Sequence, residues 1–315
     1  VSDVSGMRGD EEQPVLLGAV VARGSPGRAP GAAVARDLGV VAGPPKPLPK
    51  GWPVKRVLPM WRWLGTQRAP VTVVVASAGG GVGTSTVAGL LAETFAAGSP
   101  VGTTVLVDQC GTPWGTVSRR VLGQRGGLSG QLAVALLRQG ESPLCVLRRA
   151  PASSAGAAVV LDSGDASPLR EMRRLVQMMC GGLVVDAGCL TPWVMQRLTD
   201  PGAGWPVVLV VGRADVPGAE TVCAALAWMR SYLTVPPVLA LVSTTPADRG
   251  QIAAAQRLVS TVVPTVVPVP FDARLAHGHD IRLDRLSKGT VAALARLLSA
   301  VRQRQEGVSD VAHSR

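Results

Sequence analysis

The chain has 315 residues, 47% of them hydrophobic and 17% charged, a composition that supports a buried core and excludes wholesale disorder. Its formal charge is +11, from 32 basic and 21 acidic residues, yet the lysines are confined to Lys46, Lys50, Lys55 and Lys288. The stretch between residues 56 and 287 therefore offers no amine, which excludes Schiff-base chemistry and a phosphate-clamping lysine there.

Residues 1–69 read as a flexible, basic, Pro/Gly-rich segment. The start is acidic (Asp3, Asp10, Glu11, Glu12), and the apolar run from Val15 to Ala22 lacks the basic flank of a signal peptide. Residues 43–50, GPPKPLPK, read as a polyproline-like linker. Trp52, Trp61 and Trp63 are then interleaved with Lys55, Arg56, Arg62 and Arg68. That mixture suits docking to a partner, a membrane surface or nucleic acid, and equally a lead-in helix that packs on the domain.

From Val71 short β-branched runs alternate with helical patterns. Strands are expected at Val71–Ala76, Thr104–Val107, Ala157–Leu161, Leu183–Val185, Val207–Val211, Val238–Val242 and Thr265–Val269. They are apolar throughout, as strands buried on both faces should be. Ser167-Pro168 and Thr191-Pro192 read as N-caps followed by proline, and Ser287 as the cap of a last helix with Val291, Leu294, Leu298 and Val301 on its apolar face. The pattern predicts an α/β fold of about seven strands. The sheet is doubly wound and mostly parallel, with helices on both faces. The domain is expected over 70–305, followed by a disordered tail at 306–315.

The uncharged run from Ala69 to Ala92 could span a bilayer by length. A glycine loop interrupts it, so strand, loop and helix are expected, with no transmembrane segment. Cys110, Cys145, Cys180, Cys189 and Cys223 are scattered and never spaced as C-x-x-C, which suits a reducing cytoplasm. Cys110, Cys180 and Cys189 read as small buried residues. His277, His279 and His313 have no cysteine nearby and predict no metal site.

The loop is Ser77-Ala78-Gly79-Gly80-Gly81-Val82-Gly83-Thr84-Ser85-Thr86. Glycines let a backbone wrap an anion, and hydroxyls at a helix N-terminus reach phosphate oxygens or magnesium. The order strand, glycine loop, helix resembles a P-loop NTPase. Gly80-Gly81-Val82-Gly83-x-Ser85-Thr86 more specifically resembles the deviant Walker A of the MinD/ParA ATPases. Residues 105–108 (VLVD), 182–186 (GLVVD) and 269–276 (VPFDARLA) resemble three later family motifs, in family order.

The resemblance implies an ATP-binding, magnesium-dependent cytoplasmic homodimer. Such a protein positions or regulates a larger machine through a protein partner, in partition, septum placement, pilus, secretion or conjugation. It implies phosphate binding by Gly80, Gly81, Val82, Gly83, Thr84, Ser85 and Thr86. It implies magnesium near Ser85, Asp108 and Asp186, with Asp108 as the candidate catalytic residue.

The departures are specific. Gly79 replaces the signature lysine, Thr84 the P-loop lysine, Cys110 the second switch aspartate and Ser243 an adenine-contacting asparagine. The chain thus resembles a degenerate member closest to the CpaE/TadZ type, for which efficient stand-alone hydrolysis is not expected. Arg119, Arg120, Arg213 and Arg274 are candidate replacement cations, although a guanidinium does not copy a lysine's geometry. Three functions follow: a nucleotide switch with weak or partner-dependent hydrolysis, a pseudo-ATPase scaffold, and a nonspecific DNA-binding partition protein. Net positive charge favours the last, but no DNA-binding motif accompanies it. Peripheral membrane contact through the last helix stands beside packing of that helix on the sheet.

Overall fold

The computed structural model describes residues 71–99, 103–109, 116–123, 126–161, 182–192, 194–195, 206–233, 235–276, 278 and 280–313, except for the side chains of 116 and 307–313. The basic N-terminal segment, Cys110, the Ser167-Pro168 cap, Cys180, His277 and His279 lie outside them.

The core is an eight-stranded sheet. In chain order its strands are β1 (Val71–Ser77), β2 (Thr104–Asp108), β3 (Leu128–Ser129), β4 (Ala158–Leu161), β5 (Gly182–Cys189), β6 (Val207–Arg213), β7 (Val238–Val242) and β8 (Val266–Val269). Their spatial order is β3-β4-β2-β5-β1-β6-β7-β8, and every pairing within the sheet is parallel. The seven expected strands are all present. The eighth, β3, has two residues, too few for any periodicity to register.

The helices are α1 (Thr84–Gly98), α2 (Thr116–Leu122), α3 (Gly130–Arg138), α4 (Pro143–Arg149), α5 (Val216–Met229), α6 (Ile252–Ser260), α7 (Ala273–Ala276) and α8 (Lys288–His313). Alternate strand residues face opposite helix layers. Val73 and Val75 pack with α1, α2 and α8; Val74 and Ala76 pack with the layer that holds α3 to α6. Covering both faces removes any polar-out stripe, which explains the unbroken apolar strands.

Local chemistry sets the helix starts. Ser142 caps α4 by accepting from the Cys145 N–H (3.3 Å), with Pro143 at the first helical position. Asp215 caps α5 by accepting from the Gly218 N–H at 2.8 Å. The expected cap at Thr191 is present, its hydroxyl accepting from the Val194 N–H at 3.2 Å. Ser287 caps α8, accepting from the Thr290 N–H at 3.2 Å. Val291, Leu294, Leu298 and Val301 are buried against the sheet, so this face of α8 belongs to the core.

Helix α1 is buried almost all round. Its one carboxylate, Glu93, is fully buried and accepts from the Ser154 hydroxyl (2.6 Å) and the Ala155 N–H (2.9 Å) before β4. Hydrogen bonding is what makes a buried carboxylate tolerable.

Candidate glycine-loop site

The sheet places β1 between β5 and β6, at the point where successive crossovers turn in opposite directions. In open α/β sheets ligands bind beyond the strand ends at this point. The glycine loop leaves β1 here. The Ser77 hydroxyl reaches the carbonyls of Gly79 (2.8 Å) and Gly188 (3.2 Å), fixing the loop's root to the end of β5. Gly81 (φ 73°) and Gly83 (φ 95°) adopt the left-handed region that a Cβ disfavours. At Gly83 a Cβ would also stand 3.3 Å from the Val242 side chain.

Gly83 is the N-cap of α1 and supplies no side-chain hydrogen bond. The first N–H groups of a helix have no partner within it. Those of Thr84, Ser85 and Thr86 therefore face the loop with the positive end of a 15-residue helix behind them. A Cβ at Gly79, Gly80 or Gly81 would meet nothing within 4 Å, so the space over the loop is open. A cavity of about 280 Å³ lies along Gly79–Val82, bounded on the far side by Gly212, Arg213 and Gly218. Ser85 and Thr86 are partly buried, and Thr84, at the lysine position, is buried.

Asp108 and Asp186 end up side by side, as register partners on β2 and β5. Both are buried. Asp108 accepts from the Ser118 N–H and Asp186 from the Gly188 N–H, each at 3.2 Å. Among the described residues no cluster of three or more His, Cys, Asp or Glu could hold a metal ion. Two carboxylates and a serine hydroxyl nevertheless fit magnesium, which takes one or two protein carboxylates and fills its remaining sites with phosphates and water.

The four candidate arginines differ. Arg119 is exposed on α2. Arg213 lines the loop cavity, but Asp215 pairs with it and holds its pKa above the ordinary value through a hydrogen bond. Arg274 is exposed and donates to the Arg285 carbonyl. Arg120 is partly buried and donates to Thr86 Oγ1 and to the Leu275 carbonyl, and burial pushes its pKa down. Ser243, at the asparagine position, is buried with no hydrogen-bond partner for its Oγ. Cys189 corrects the sequence reading: it is the last residue of strand β5, past the bulge, and is exposed. Strands that outrun their apolar stretch leave their final residues in solvent, and β5 runs three residues beyond Asp186.

Two acidic ties brace the surrounding loops. Asp248 accepts from the N–H groups of Thr244 (2.7 Å) and Thr245 (2.9 Å) and from the Thr245 hydroxyl (2.8 Å). Asp272 accepts from the Ser287 N–H (2.8 Å), the Thr290 hydroxyl (2.7 Å) and the Arg274 N–H (3.0 Å). Burial alone would raise both pKa values; the hydrogen bonds outweigh it and lower them.

No protein-family model and no curated protein sequence matches the chain. Solved structures do. A chain of the MinC:MinD cell division protein complex of Aquifex aeolicus superposes with a TM-score of 0.54 at 15% identity, covering 73% of this chain and 96% of that one. An ATP complex of a McdA variant from Cyanothece gives 0.50 at 14% identity, covering 76% and 97%. A Borrelia burgdorferi protein assigned to plasmid partition and bound to AMPPNP gives 0.50 at 12% identity, covering 75% and 99%. Among the described residues no helix is long and apolar enough to cross a membrane. With a parallel sheet, a glycine loop on its central strand and these superpositions, the chain has the fold of the MinD/ParA-type P-loop ATPases.

Proposed function

We propose that the chain is a nucleotide-binding switch of the MinD/ParA type, a degenerate member nearest the CpaE/TadZ branch in its loop sequence. It binds ATP with magnesium, dimerises, and positions or regulates a larger cellular machine through a protein partner. The observation that carries the reading is the glycine loop closing on the uncapped start of α1, beside the register pair Asp108 and Asp186. Gly80–Thr86 would hold the phosphates through backbone N–H groups and the Ser85 and Thr86 hydroxyls. Ser85, Asp108 and Asp186 would hold magnesium, which supplies charge neutralisation at the phosphates. The orphaned Ser243 Oγ gives a bound base a polar neighbour to satisfy.

Hydrolysis is weak or partner-dependent, because the loop amine that offsets developing phosphate charge is absent. Burial of Thr84 at that position favours a second reading, a pseudo-ATPase scaffold that binds protein partners without nucleotide. Calorimetric titration with ATP·Mg and ADP separates the two. Binding that is lost in Asp186→Ala and Ser85→Ala supports the switch; no heat and no thermal shift for the wild-type chain leaves the scaffold.

A further inference from the structure

A partly buried cation normally has a carboxylate beside it, because taking a charge out of water is expensive. Arg120 has none among the described residues. Among the described residues its guanidinium meets two neutral acceptors, the Thr86 hydroxyl in the first turn of α1 and the Leu275 carbonyl on α7. Its Nε is buried and has no acceptor among the described residues. A positive group kept in this state is short of an anion. It is kept one hydroxyl away from the free N–H groups of α1.

The other candidate cations are already committed or exposed. Arg213 has Asp215, Arg274 has a carbonyl in solvent, and Arg119 points away from the domain interior. Thr84, where the amine would be, is neutral and buried.

We propose that Arg120 is the cation of the phosphate site. It reaches the site from α2, the helix that follows the Asp108 strand, and binds the phosphate oxygens of a nucleoside triphosphate alongside the start of α1. The inference rests on the nucleotide reading above and adds the residue that replaces the missing amine. It also differs from a loop lysine in kind. A planar guanidinium can hold Thr86, the Leu275 carbonyl and a phosphate oxygen at once. The 273–286 segment is thereby attached to the phosphate site through one side chain, and the Ile281 N–H donating to the Arg120 carbonyl (2.7 Å) reinforces the attachment.

The test is calorimetric titration of the full chain with ATP·Mg and with sodium tripolyphosphate. The variants are Arg120→Gln, Arg120→Lys and, as a neighbouring control, Arg119→Ala. Gln keeps a donor for Thr86 and removes the charge; Lys keeps the charge. Arg120→Gln is expected to weaken both ligands at least about tenfold, the factor carried by one charge-assisted hydrogen bond. Arg120→Lys recovers part of that loss, and Arg119→Ala changes nothing. Wild-type affinity in Arg120→Gln overturns the inference and leaves the nucleotide reading intact. A wild-type chain that binds tripolyphosphate but no nucleotide sinks the nucleotide reading, and the same variants then decide Arg120 on tripolyphosphate. A wild-type chain that binds neither overturns both. If Arg120→Gln melts before titration, Arg120→Lys decides in a chain with the wild-type melting temperature: tripolyphosphate binding weaker than wild type supports the contact, and unchanged affinity overturns it.

Discussion

Asp108 and Asp186 are register partners on adjacent parallel strands, both buried and each held by a backbone N–H. Neighbouring strands lie about 4.8 Å apart, so two carboxylates are brought together at the end of the sheet where the glycine loop turns. Like charges so placed repel, and a divalent cation relieves the repulsion. Asp186→Asn is therefore expected to leave the ligand-free melting temperature unchanged or slightly higher. It should abolish the magnesium dependence of ATP affinity. Thermal shift with and without magnesium, at fixed ATP, checks both halves; an unaltered magnesium dependence would remove Asp186 from the proposed magnesium site.

Rescue between Thr84 and Arg120 offers a second check. In an Arg120→Gln background, Thr84→Lys is expected to restore at least about tenfold in ATP affinity, because the amine returns to the position where P-loops carry it. Binding is read by calorimetry against the single variants. Failure of rescue in a folded double variant would mean that the buried environment of Thr84 no longer accepts a lysine.

Asp272 closes the segment between α7 and α8, and its pKa is lowered by the bonds it accepts. A depressed carboxylate stabilises the fold above its unfolded pKa of about 3.9, and that contribution disappears as pH falls through the folded value. Asp272→Asn is expected to cost about 1–3 kcal/mol at pH 7. The gap between wild type and variant should begin to narrow below about pH 4. Urea melts at pH 7 and pH 3 measure it, and a gap that is constant with pH contradicts the assignment.

Gly212 faces α5 at the edge of the loop cavity, and a Cβ there would stand 2.2 Å from Val222 Cγ2. Valine cannot rotate far from its preferred rotamer in a helix. Gly212→Ala is expected to destabilise the chain by about 1–3 kcal/mol, and Gly212→Ala with Val222→Ala by less than Gly212→Ala alone. Denaturant midpoints of the three variants decide this.

The long strands were legible because burial on both faces leaves an unbroken apolar run, and β7 matches its expected limits residue for residue. β3 was not, since two residues carry no period. The Ser142-Pro143 start of α4 carries the same signal as Thr191-Pro192 and could have been read from it. The place of the glycine loop between β1 and α1, and of Asp108 and Asp186 on β2 and β5, was legible from their motifs. Arg120 was legible only as one arginine among four. What distinguishes it, a hydroxyl on α1 and a carbonyl on α7, depends on elements 34 and 155 residues away in the chain. Cys189 was misplaced because β5 continues three residues past Asp186 and its last residue is exposed.

Glu93 sits seven residues after Thr86 on α1, about two full turns, and so on the same stripe of the helix. Its carboxylate is keyed into the Ser154–Ala155 corner ahead of β4. Apolar packing already limits how α1 can rotate, since Phe95 lies close against Gly182 and Ile281 close against Gly89, and Glu93 adds a polar contact. These contacts together hold the azimuth of α1, and with it the direction in which the Thr86 hydroxyl leaves the first turn, toward Arg120 on α2. The alignment of the loop's hydroxyls is thus indexed from deep inside the molecule, by Glu93 and Phe95, about two or more turns away from the loop.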